Sequence, residues 1–412
     1  MARLNLLVLP LALALAAPVV AASNPLMDAA IAARPEQLKL LEQVINIDSG
    51  TGDAEGGAKV AAVFAARLKA LGASIETVPA EAPGLPANTV ATVKGTGKTR
   101  ILMIGHLDTV FGPGTVAKWP FRIEGDRMTG RARGPGVGDE KGGVVEGIKA
   151  LELLRDAKFT DFASITLLIE TSEERGSPGT RALIARLLAT ADVELNLEPG
   201  DAPDKVTVWR KSSTVVSIDV TGKAAHAGIA PQDGRNAAVE LLHQLEGYDK
   251  FPHTGDQTTV NLTLLAAGTR NNIIPDHATA TFSVRARTPA ASAAVLAQLE
   301  ANAKTIAVAG TTVTILHEPA FPPLANNPAT DALAARAAKI YAGIGRTLGT
   351  GGNGGASESA MAAANGVPAL DGLGPVGGKF HSDGEYIELE TLTPRLYLLT
   401  ALIEELGTKG VR

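Results

Sequence analysis

The 412-residue sequence contains no cysteine. This absence excludes disulfides, a lipidated cysteine, thiolate zinc sites and cysteine nucleophiles, so a metal could be held only by His, Asp and Glu side chains. An excess of positive charge is absent as well, because the formal net charge is −5. Nothing therefore indicates binding to nucleic acid or to an anionic membrane, and we expect a small-molecule ligand.

Long uncharged runs are missing after the first residues. Arg3 precedes an apolar run over residues 4–20, and the small residues at 20–22 fit a cleavage site. We therefore expect residues 1–22 to be a removed signal peptide and the mature protein to be periplasmic or secreted. The alternative is a retained membrane helix, against which the two prolines in the run argue.

The apolar pattern predicts two structural layouts along the chain. Strand-like runs such as 101–104 and 165–169 alternate with amphipathic helical stripes, which is typical of an α/β domain with a mixed, largely parallel sheet. From about Ser213 the order becomes β-α-β-β-α-β, that of a ferredoxin-like unit. Alternation between helices and strands then returns. We predict a larger domain over 23–212 and 325–412, interrupted by a small inserted domain over 213–324.

Acidic residues and histidines follow the predicted buried strands, where active sites lie in open α/β sheets. They are His106 and Asp108 after the first run, Asp139 in a glycine-rich segment, Glu173 and Glu174, Glu198, and His381 in a C-terminal loop. Together they supply two histidines and several carboxylates to one sheet.

Each of these motifs also has an ordinary interpretation. The histidine of His106-Leu107-Asp108 could bind a metal while the aspartate fixes its other ring nitrogen, or it could be a solvated histidine beside a turn. The glycines around Asp139 fit either a plain turn or a backbone drawn close to a ligand. Adjacent Glu173 and Glu174 repel each other unless a cation or a proton intervenes.

Taken together, the motifs resemble the co-catalytic zinc aminopeptidase/carboxypeptidase family, and most closely its glutamate carboxypeptidase branch. The family also includes deacetylases, desuccinylases and aminoacylases. The matching segments occur in order over nearly the whole mature chain: residues 105–110, 138–143, 171–177, 198–199, 222–228, 271–275 and 381–382.

The resemblance implies a role for each residue of the metal site. Asp139 would bridge two zinc ions, with His106 and Glu198 completing one site and Glu174 and His381 the other. Glu173 would be the general base, and Asp108 would orient His106. The charges agree with this assignment, since two Zn²⁺ ions, three carboxylate ligands and one bridging hydroxide sum to zero.

The resemblance also implies a homodimer in which the inserted domain is the dimerisation and lid domain. His226 would reach into the partner subunit's site and stabilise the oxyanion. Asn272 and Arg285 would bind the substrate's α-carboxylate, although Arg285 could equally be a surface arginine at a strand edge. Lys205 would supply one further positive charge to the substrate.

Two positions depart from the family pattern. Glu140 keeps an acidic residue in the turn after the bridging aspartate, and we expect little effect. Glu318 stands where the glutamate carboxypeptidases have an arginine that binds the substrate's side-chain carboxylate. An anion there would repel a glutamate side chain, so preference for glutamate does not follow from the resemblance.

The sequence therefore predicts a two-zinc hydrolase that removes a C-terminal amino acid from an N-acyl or peptide substrate. An aminoacylase or deacylase acting on small N-acyl amino acids is the alternative within the same chemistry. A non-catalytic zinc-binding or peptide-binding relative is the alternative of another class. Glu173 argues against it, because a pure binding protein has no use for a base beside its metal ligands.

Overall fold

The computed structural model describes residues 24–411. The predicted signal peptide, residues 1–22, lies outside this range. The helices of the described chain are α1 Pro25–Ile45, α2 Ala54–Ala70, α3 Thr115–Lys118, α4 Lys141–Asp156, α5 Arg181–Leu188, α6 Ala237–Gln244, α7 Pro289–Asn302, α8 Pro328–Ala342, α9 Glu358–Ala364 and α10 Leu389–Lys409. None of the helices in this range combines the length and the apolarity needed to cross a membrane.

The strands of the described chain form five sheets, of six, five, four, two and two strands. They are β1 Ser74–Val78, β2 Asn88–Lys94, β3 Arg100–His106, β4 Arg122–Glu124, β5 Arg131–Arg133, β6 Ser164–Glu170, β7 Val193–Asn196, β8 Pro199–Gly200, β9 Lys205–Arg210, β10 Ser213–Thr221, β11 Ala225–His226, β12 Thr259–Ala267, β13 Ile273–Ile274, β14 His277–Arg285, β15 Thr312–Phe321, β16 Gly349–Asn353, β17 Ala369–Leu370, β18 Gly374–Gly378 and β19 Tyr386–Glu388.

The largest sheet has the strand order β1-β2-β6-β3-β7-β17. Strands β6, β3, β7 and β17 run parallel to one another, whereas β2 pairs antiparallel with both β6 and the edge strand β1. The apolar residues of β3 from Ile101 to Ile104 are at most 2% exposed. Such continuous apolar strands are typical of a sheet covered on both faces. The predicted mixed, largely parallel sheet is therefore confirmed.

Helix α4 connects this sheet to the site described below. It packs against α1, α10 and β3, and its residues Gly142 and Gly143 open its first turn. A Cβ atom at position 143 would lie 1.9 Å from the carbonyl oxygen of Leu197. Only glycine allows this approach, which brings the start of α4 against the end of β7.

The inserted segment builds a separate layer with its own hydrophobic core. Its elements follow the order β10-α6-β12-β14-α7-β15, and its antiparallel sheet has the order β12-β14-β10-β15. Val216, Ile218 and Val220 of β10 are buried in this core, while Ser217 and Asp219 alternate with them on the other face. One face of the sheet is thus covered by helices.

Two elements end or begin where packing and pairing allow it. Strand β15 continues to Phe321, because it stays paired with β10 as far as Ser213. Its Pro319 is tolerated because β15 is an edge strand, where a missing N–H needs no partner. The last helix begins at Leu389, and its first turn also packs into the core.

Candidate metal centre

The carboxyl ends of the parallel strands carry most of the predicted site residues. His106 is the last residue of β3, Glu173 and Glu174 lie in a short 3-10 helix just after β6, and Glu198 lies two residues beyond β7. Neighbouring parallel strands end at the same edge of a sheet, so these side chains converge. Asp139 joins them from the loop that precedes α4.

The loop with Asp139 is held by a carboxylate that the sequence analysis did not single out. Glu385 accepts hydrogen bonds from the backbone N–H groups of Gly138 at 2.9 Å, Asp139 at 3.1 Å and Gly136 at 3.3 Å. Burial raises the pKa of Glu385 to about 8. The neighbouring Glu140 is fully buried and accepts a hydrogen bond from the backbone N–H of His106 at 3.0 Å. Its carboxylate thereby ties the loop to the end of β3.

Five side chains form two groups that share Asp139. In the first, Nε2 of His106 lies 3.2 Å from Oδ1 of Asp139 and 3.6 Å from Oε1 of Glu198. In the second, Nε2 of His381 lies 3.1 Å from Oδ2 of Asp139 and 3.1 Å from Oε2 of Glu174. Asp139 offers one oxygen to each group. This grouping is the one that the resemblance implied.

The charges of this centre fit bound cations. Burial raises the pKa of Glu173 well above its usual range and that of Glu198 to about 7. Hydrogen bonds to Asp139 and Glu174 raise the pKa of His381 to about 10. The centre therefore holds more negative charge than its buried surroundings support, which a divalent cation relieves. Imidazole nitrogens and carboxylate oxygens without sulfur form a donor set that suits zinc and related ions.

Asp108 contacts His106 and also holds the turn that carries Glu173 and Glu174. Nδ1 of His106 lies 2.9 Å from the backbone carbonyl oxygen of Asp108 and 3.5 Å from its carboxylate. The carboxylate accepts the backbone N–H groups of Glu173 at 3.1 Å and Glu174 at 3.4 Å, and the hydroxyl of Thr51 at 2.6 Å. It therefore fixes the turn that carries both glutamates, while the carbonyl is the nearer partner of the ring.

A cavity of about 640 Å³, here called the central cavity, opens over these groups. Glu173 and His381 line it on the side of the large sheet, and Arg285 lines it from the end of β14 in the inserted domain. Burial lowers the pKa of the Arg285 guanidinium, and the negative charge of Glu173 opposes this effect. The guanidinium of Arg285 from the inserted domain thus faces the carboxylates at the edge of the large sheet.

The family follows from a match that covers most of the chain. A model of the peptidase family M20/M25/M40 matches residues 102–405. The chain belongs to this family. Carboxypeptidase G2 of Pseudomonas sp. strain RS-16 is 35% identical over 387 residues, which cover 93% of this chain and 92% of that enzyme. Succinyl-diaminopimelate desuccinylase of Xylella fastidiosa is 28% identical over 374 residues, or 84% of this chain and 92% of that enzyme.

Solved structures of the family share the fold. A tripeptidase of Staphylococcus aureus matches 91% of this chain and 98% of its own with a TM-score of 0.74 at 21% identity. An M20 metallo-carboxypeptidase of Sulfolobus solfataricus matches 90% of this chain and 98% of its own with a TM-score of 0.71 at 17% identity. The protein is therefore a metallopeptidase of the M20 family, close to carboxypeptidase G2.

One pair of residues at the M20 centre was missed from the sequence. Arg210, which lines the central cavity at the end of β9, makes a two-pronged ion pair with Asp371 at 2.6 and 2.7 Å. Its Nη2 also lies 3.4 Å from Oε2 of Glu198, the oxygen not facing His106. Asp371 and its hydroxyl donors Ser357 and Ser359 are fully buried. The only signal in the sequence was a charged pair in apolar surroundings, whose members are 161 positions apart.

Two predicted site residues lie away from the central cavity of their own chain. His226 is exposed on β11, and Asn272 follows β12 on a neighbouring loop. The two loops are joined, since Ala227 donates its N–H to the carbonyl oxygen of Asn272 at 3.0 Å. Nδ1 of His226 accepts the N–H groups of Gly228 and Ile229, both at 3.1 Å. The ring is thus held in place with its other nitrogen free to reach outward.

Two further positions bear on the substrate. Lys205 begins β9, packs against the glycines of β16 and does not line the central cavity. Glu318 lies opposite Val215 in the β10–β15 pair, and Val215 lines the cavity. Side chains directly opposite each other share one face of a sheet, so Glu318 stands beside the cavity rim.

We expect Arg210→Met to weaken metal binding about 10- to 100-fold, because Glu198 loses the cation that holds its second oxygen. Chelator competition with zinc measures this affinity. Arg287→Gln is the matched control, since Arg287 stacks on Trp209 beside Arg210 but does not contact a ligand residue. Unchanged zinc affinity in folded Arg210→Met would show that the pair does not position Glu198.

Proposed function

We propose that the protein is a zinc-dependent carboxypeptidase that removes a C-terminal amino acid from an N-acyl or peptide substrate. One observation carries this proposal: two ligand groups share Asp139, and a free carboxylate, Glu173, lies beside them in a cavity that also holds Arg285. The first two features fit metal-assisted hydrolysis, and the third fits a substrate with a carboxylate.

Two zinc ions per chain fit the two groups. His106, Asp139 and Glu198 would hold one ion, and Asp139, Glu174 and His381 the other. When bound, such a pair lowers the pKa of water and polarises the scissile carbonyl. The buried excess of carboxylates supports this assignment, since it is the charge environment that cations stabilise.

Glu173 is placed to transfer a proton from the attacking water to the leaving nitrogen. It is buried, its amide is anchored by Asp108, and its Oε2 lies 3.9 Å from Nε2 of His106. It belongs to neither ligand group, so its carboxylate is available as a base. Glu173 takes a proton from the attacking water and delivers it to the leaving nitrogen. A non-catalytic binding protein would have no use for this arrangement.

Arg285 is placed to determine which half of the substrate is released. Its planar guanidinium can bind a carboxylate through two parallel hydrogen bonds. A carboxylate held there belongs to the amino acid that leaves, because Arg285 faces Glu173 across the central cavity. This geometry favours removal of the C-terminal residue.

A symmetric dimer would complete the site. Strand β12 is an edge strand, and its Leu264 and Leu265 are 68% and 58% exposed. On α6 of the same domain, Val239 and Leu242 are 49% and 65% exposed. An unpaired edge flanked by exposed apolar side chains is suited to pairing with a second copy. In such a dimer, His226 and Asn272 of one chain would face the cavity of the other and stabilise the oxyanion and the carboxylate.

A deacylase acting on small N-acyl amino acids is the second candidate. The similarity to succinyl-diaminopimelate desuccinylase favours it. Both candidates use the same centre and differ in the substrate groups that the central cavity accepts. Glu318 at the rim favours neutral or basic leaving residues over glutamate in either case.

Glu173→Gln should lower turnover about 10²- to 10⁴-fold, because the amide cannot accept the proton. The variant should keep about two zinc ions per chain by elemental analysis, since Glu173 is not a ligand. Glu76→Gln, an exchange at an exposed residue paired with Arg186, is the control. Wild-type rates in Glu173→Gln would exclude its role as base.

A mixture of two inactive variants should recover activity. His226→Ala and Glu173→Gln are each expected to be inactive, but a mixed dimer has one site with an intact Glu173 and an intact His226 from the other chain. After random exchange of subunits, about a quarter of wild-type activity should return, because half of the dimers are mixed and each has one working site. No recovery, despite mixed dimers detected by mass spectrometry, would contradict a contribution of His226 across the dimer.

Glu318→Arg should raise kcat/KM for substrates ending in glutamate about tenfold or more over wild type, because attraction replaces repulsion at the rim. The measurement is a panel of N-acyl amino acids with acidic, apolar and basic C-terminal residues. Glu300→Arg reverses the same charge at an exposed position on α7 and should not alter the preference. A wild-type preference for glutamate would show that Glu318 does not govern selection.

A further inference from the structure

Four buried polar side chains outside the two ligand groups connect parts of the metal centre to one another. They are Glu170, Ser177, Asn196 and Glu358, and each is fully buried. None of them lines the central cavity, so any effect they have on the reaction is transmitted by neighbouring residues. Burying a polar group costs free energy unless its hydrogen bonds are satisfied, so the partners of these side chains show what they support.

Glu358, the first residue of α9, contacts two different segments of the chain. Its Oε2 accepts a hydrogen bond from Nδ2 of Asn196 at 3.1 Å, at the end of β7. Its Oε1 lies 3.3 Å from Oγ of Ser177, in the segment that follows β6. One carboxylate therefore joins the ends of two strands that supply the metal centre.

One oxygen of Glu358 supports the ligand Glu198 through Asn196. Oδ1 of Asn196 accepts the backbone N–H of Glu198 at 3.1 Å, while Nδ2 of the same amide is bound to Glu358. The oxygen and the nitrogen of an amide occupy its two ends, so fixing the nitrogen also fixes the oxygen. Without an acceptor at position 358, the amide could turn and release the N–H of Glu198.

The other oxygen supports, through Ser177, the turn that carries Glu173 and Glu174. Ser177 closes this turn by donating its N–H to the carbonyl oxygen of Ser172 at 2.9 Å. Its φ of +55° lies in the left-handed region, which residues other than glycine rarely adopt. Glycine would fit this backbone better but has no hydroxyl, so the hydrogen bonds of Oγ explain why a serine can be favoured there.

Glu170, the last residue of β6, is the second carboxyl partner of Ser177. Its Oε1 lies 3.0 Å from Oγ of Ser177. Burial, together with the negative charge of the neighbouring Glu358, raises the pKa of Glu170 well above its usual range. A protonated Glu170 can donate a hydrogen bond to Glu358, so the two carboxyl groups lie side by side without repelling each other.

The same turn of α9 also holds the carboxylate of Glu198. The serines on either side of Glu358 donate to Asp371, which pairs with Arg210, and Arg210 contacts Glu198. Residues 353–356, directly before this turn, line the central cavity. A wall of the cavity and the supports of both ligand groups therefore belong to one continuous segment.

We propose that Glu358 is a positioning residue that holds Glu198 and the turn with Glu173 and Glu174 at a fixed distance from each other. This inference rests on the proposed zinc-dependent hydrolysis. The role differs from that of Arg210, which contacts Glu198 alone. Loss of Glu358 weakens both ligand groups and displaces the base, whereas loss of Arg210 weakens one group.

The test compares Glu358→Leu with Glu358→Gln. Leucine has a similar size but accepts no hydrogen bond, so zinc affinity should fall about 10- to 100-fold. At saturating zinc, kcat should still fall about tenfold or more with little change in KM, because Glu173 is displaced. Glutamine keeps an oxygen for Asn196 and an NH₂ group that can donate to Glu170, so it should largely restore both values. Chelator competition measures the affinity, and initial rates measure kcat and KM.

Ser177→Gly tests the contact with the turn in a variant whose backbone fits better than that of the wild type. Glycine adopts a positive φ without strain, so the variant should fold at least as well. Loss of the hydroxyl should nevertheless lower kcat about tenfold, because the turn with Glu173 is held less firmly. This variant also keeps the test decisive if Glu358→Leu does not fold.

Glu146→Leu is the matched control for the loss of a buried carboxyl group. Glu146 lies on α4, is fully buried, and neither of its oxygens has a hydrogen-bond partner in the described part of the chain. Zinc affinity and kcat of this variant should stay close to those of the wild type.

The outcomes separate this inference from the proposed function. Wild-type zinc affinity and kcat in folded Glu358→Leu, or wild-type kcat in Ser177→Gly, would overturn the positioning role. Equal losses in Glu358→Leu and Glu358→Gln, or in Glu358→Leu and Glu146→Leu, would also overturn it. A wild-type enzyme that retains zinc but hydrolyses no N-acyl amino acid or dipeptide would overturn the proposed function itself.

Discussion

The structure depends on keeping several carboxylates close together at one buried edge of a sheet. Asp139 divides its two oxygens between His106 and His381, and Glu198 and Glu174 lie beside it. Their mutual repulsion is tolerated only if positive charge is present. The sheet order, the glycines at the start of α4 and the backbone contacts of Glu385 all hold these groups at distances that suit bound cations.

Much of this arrangement could be predicted from the sequence because it is local. The continuous apolar run at 101–104 identified a buried strand, and His106 directly after it identified the sheet edge. The same reasoning located Glu173, Glu174 and Glu198. Alternation of apolar and polar residues likewise identified β10 as a half-buried strand. Ordered motifs then supplied the division into two ligand groups, which periodicity alone does not give.

The contacts that could not be predicted from the sequence join residues far apart in the chain. Arg210 and Asp371 are 161 positions apart, and Glu385 reaches a loop almost 250 positions earlier. Neither pair lies on a repeated spacing, so only the folded chain brings them together. The role of the Asp108 carbonyl was not predicted for another reason. Sequence motifs point to side chains, but the backbone carbonyl oxygen of Asp108 lies nearer to Nδ1 of His106 than its carboxylate does.

The proposed reaction centre and the position proposed to select the substrate lie in different parts of the molecule. His106, Glu173 and Glu198 are buried at or just beyond strand ends, where a substitution would disturb their neighbours. Glu318 lies on an edge strand and is exposed. Exposed positions tolerate changes of charge and size at little cost to stability. On the proposed assignment, one reaction centre can serve different substrates, because Glu318 is not among the residues that hold the fold.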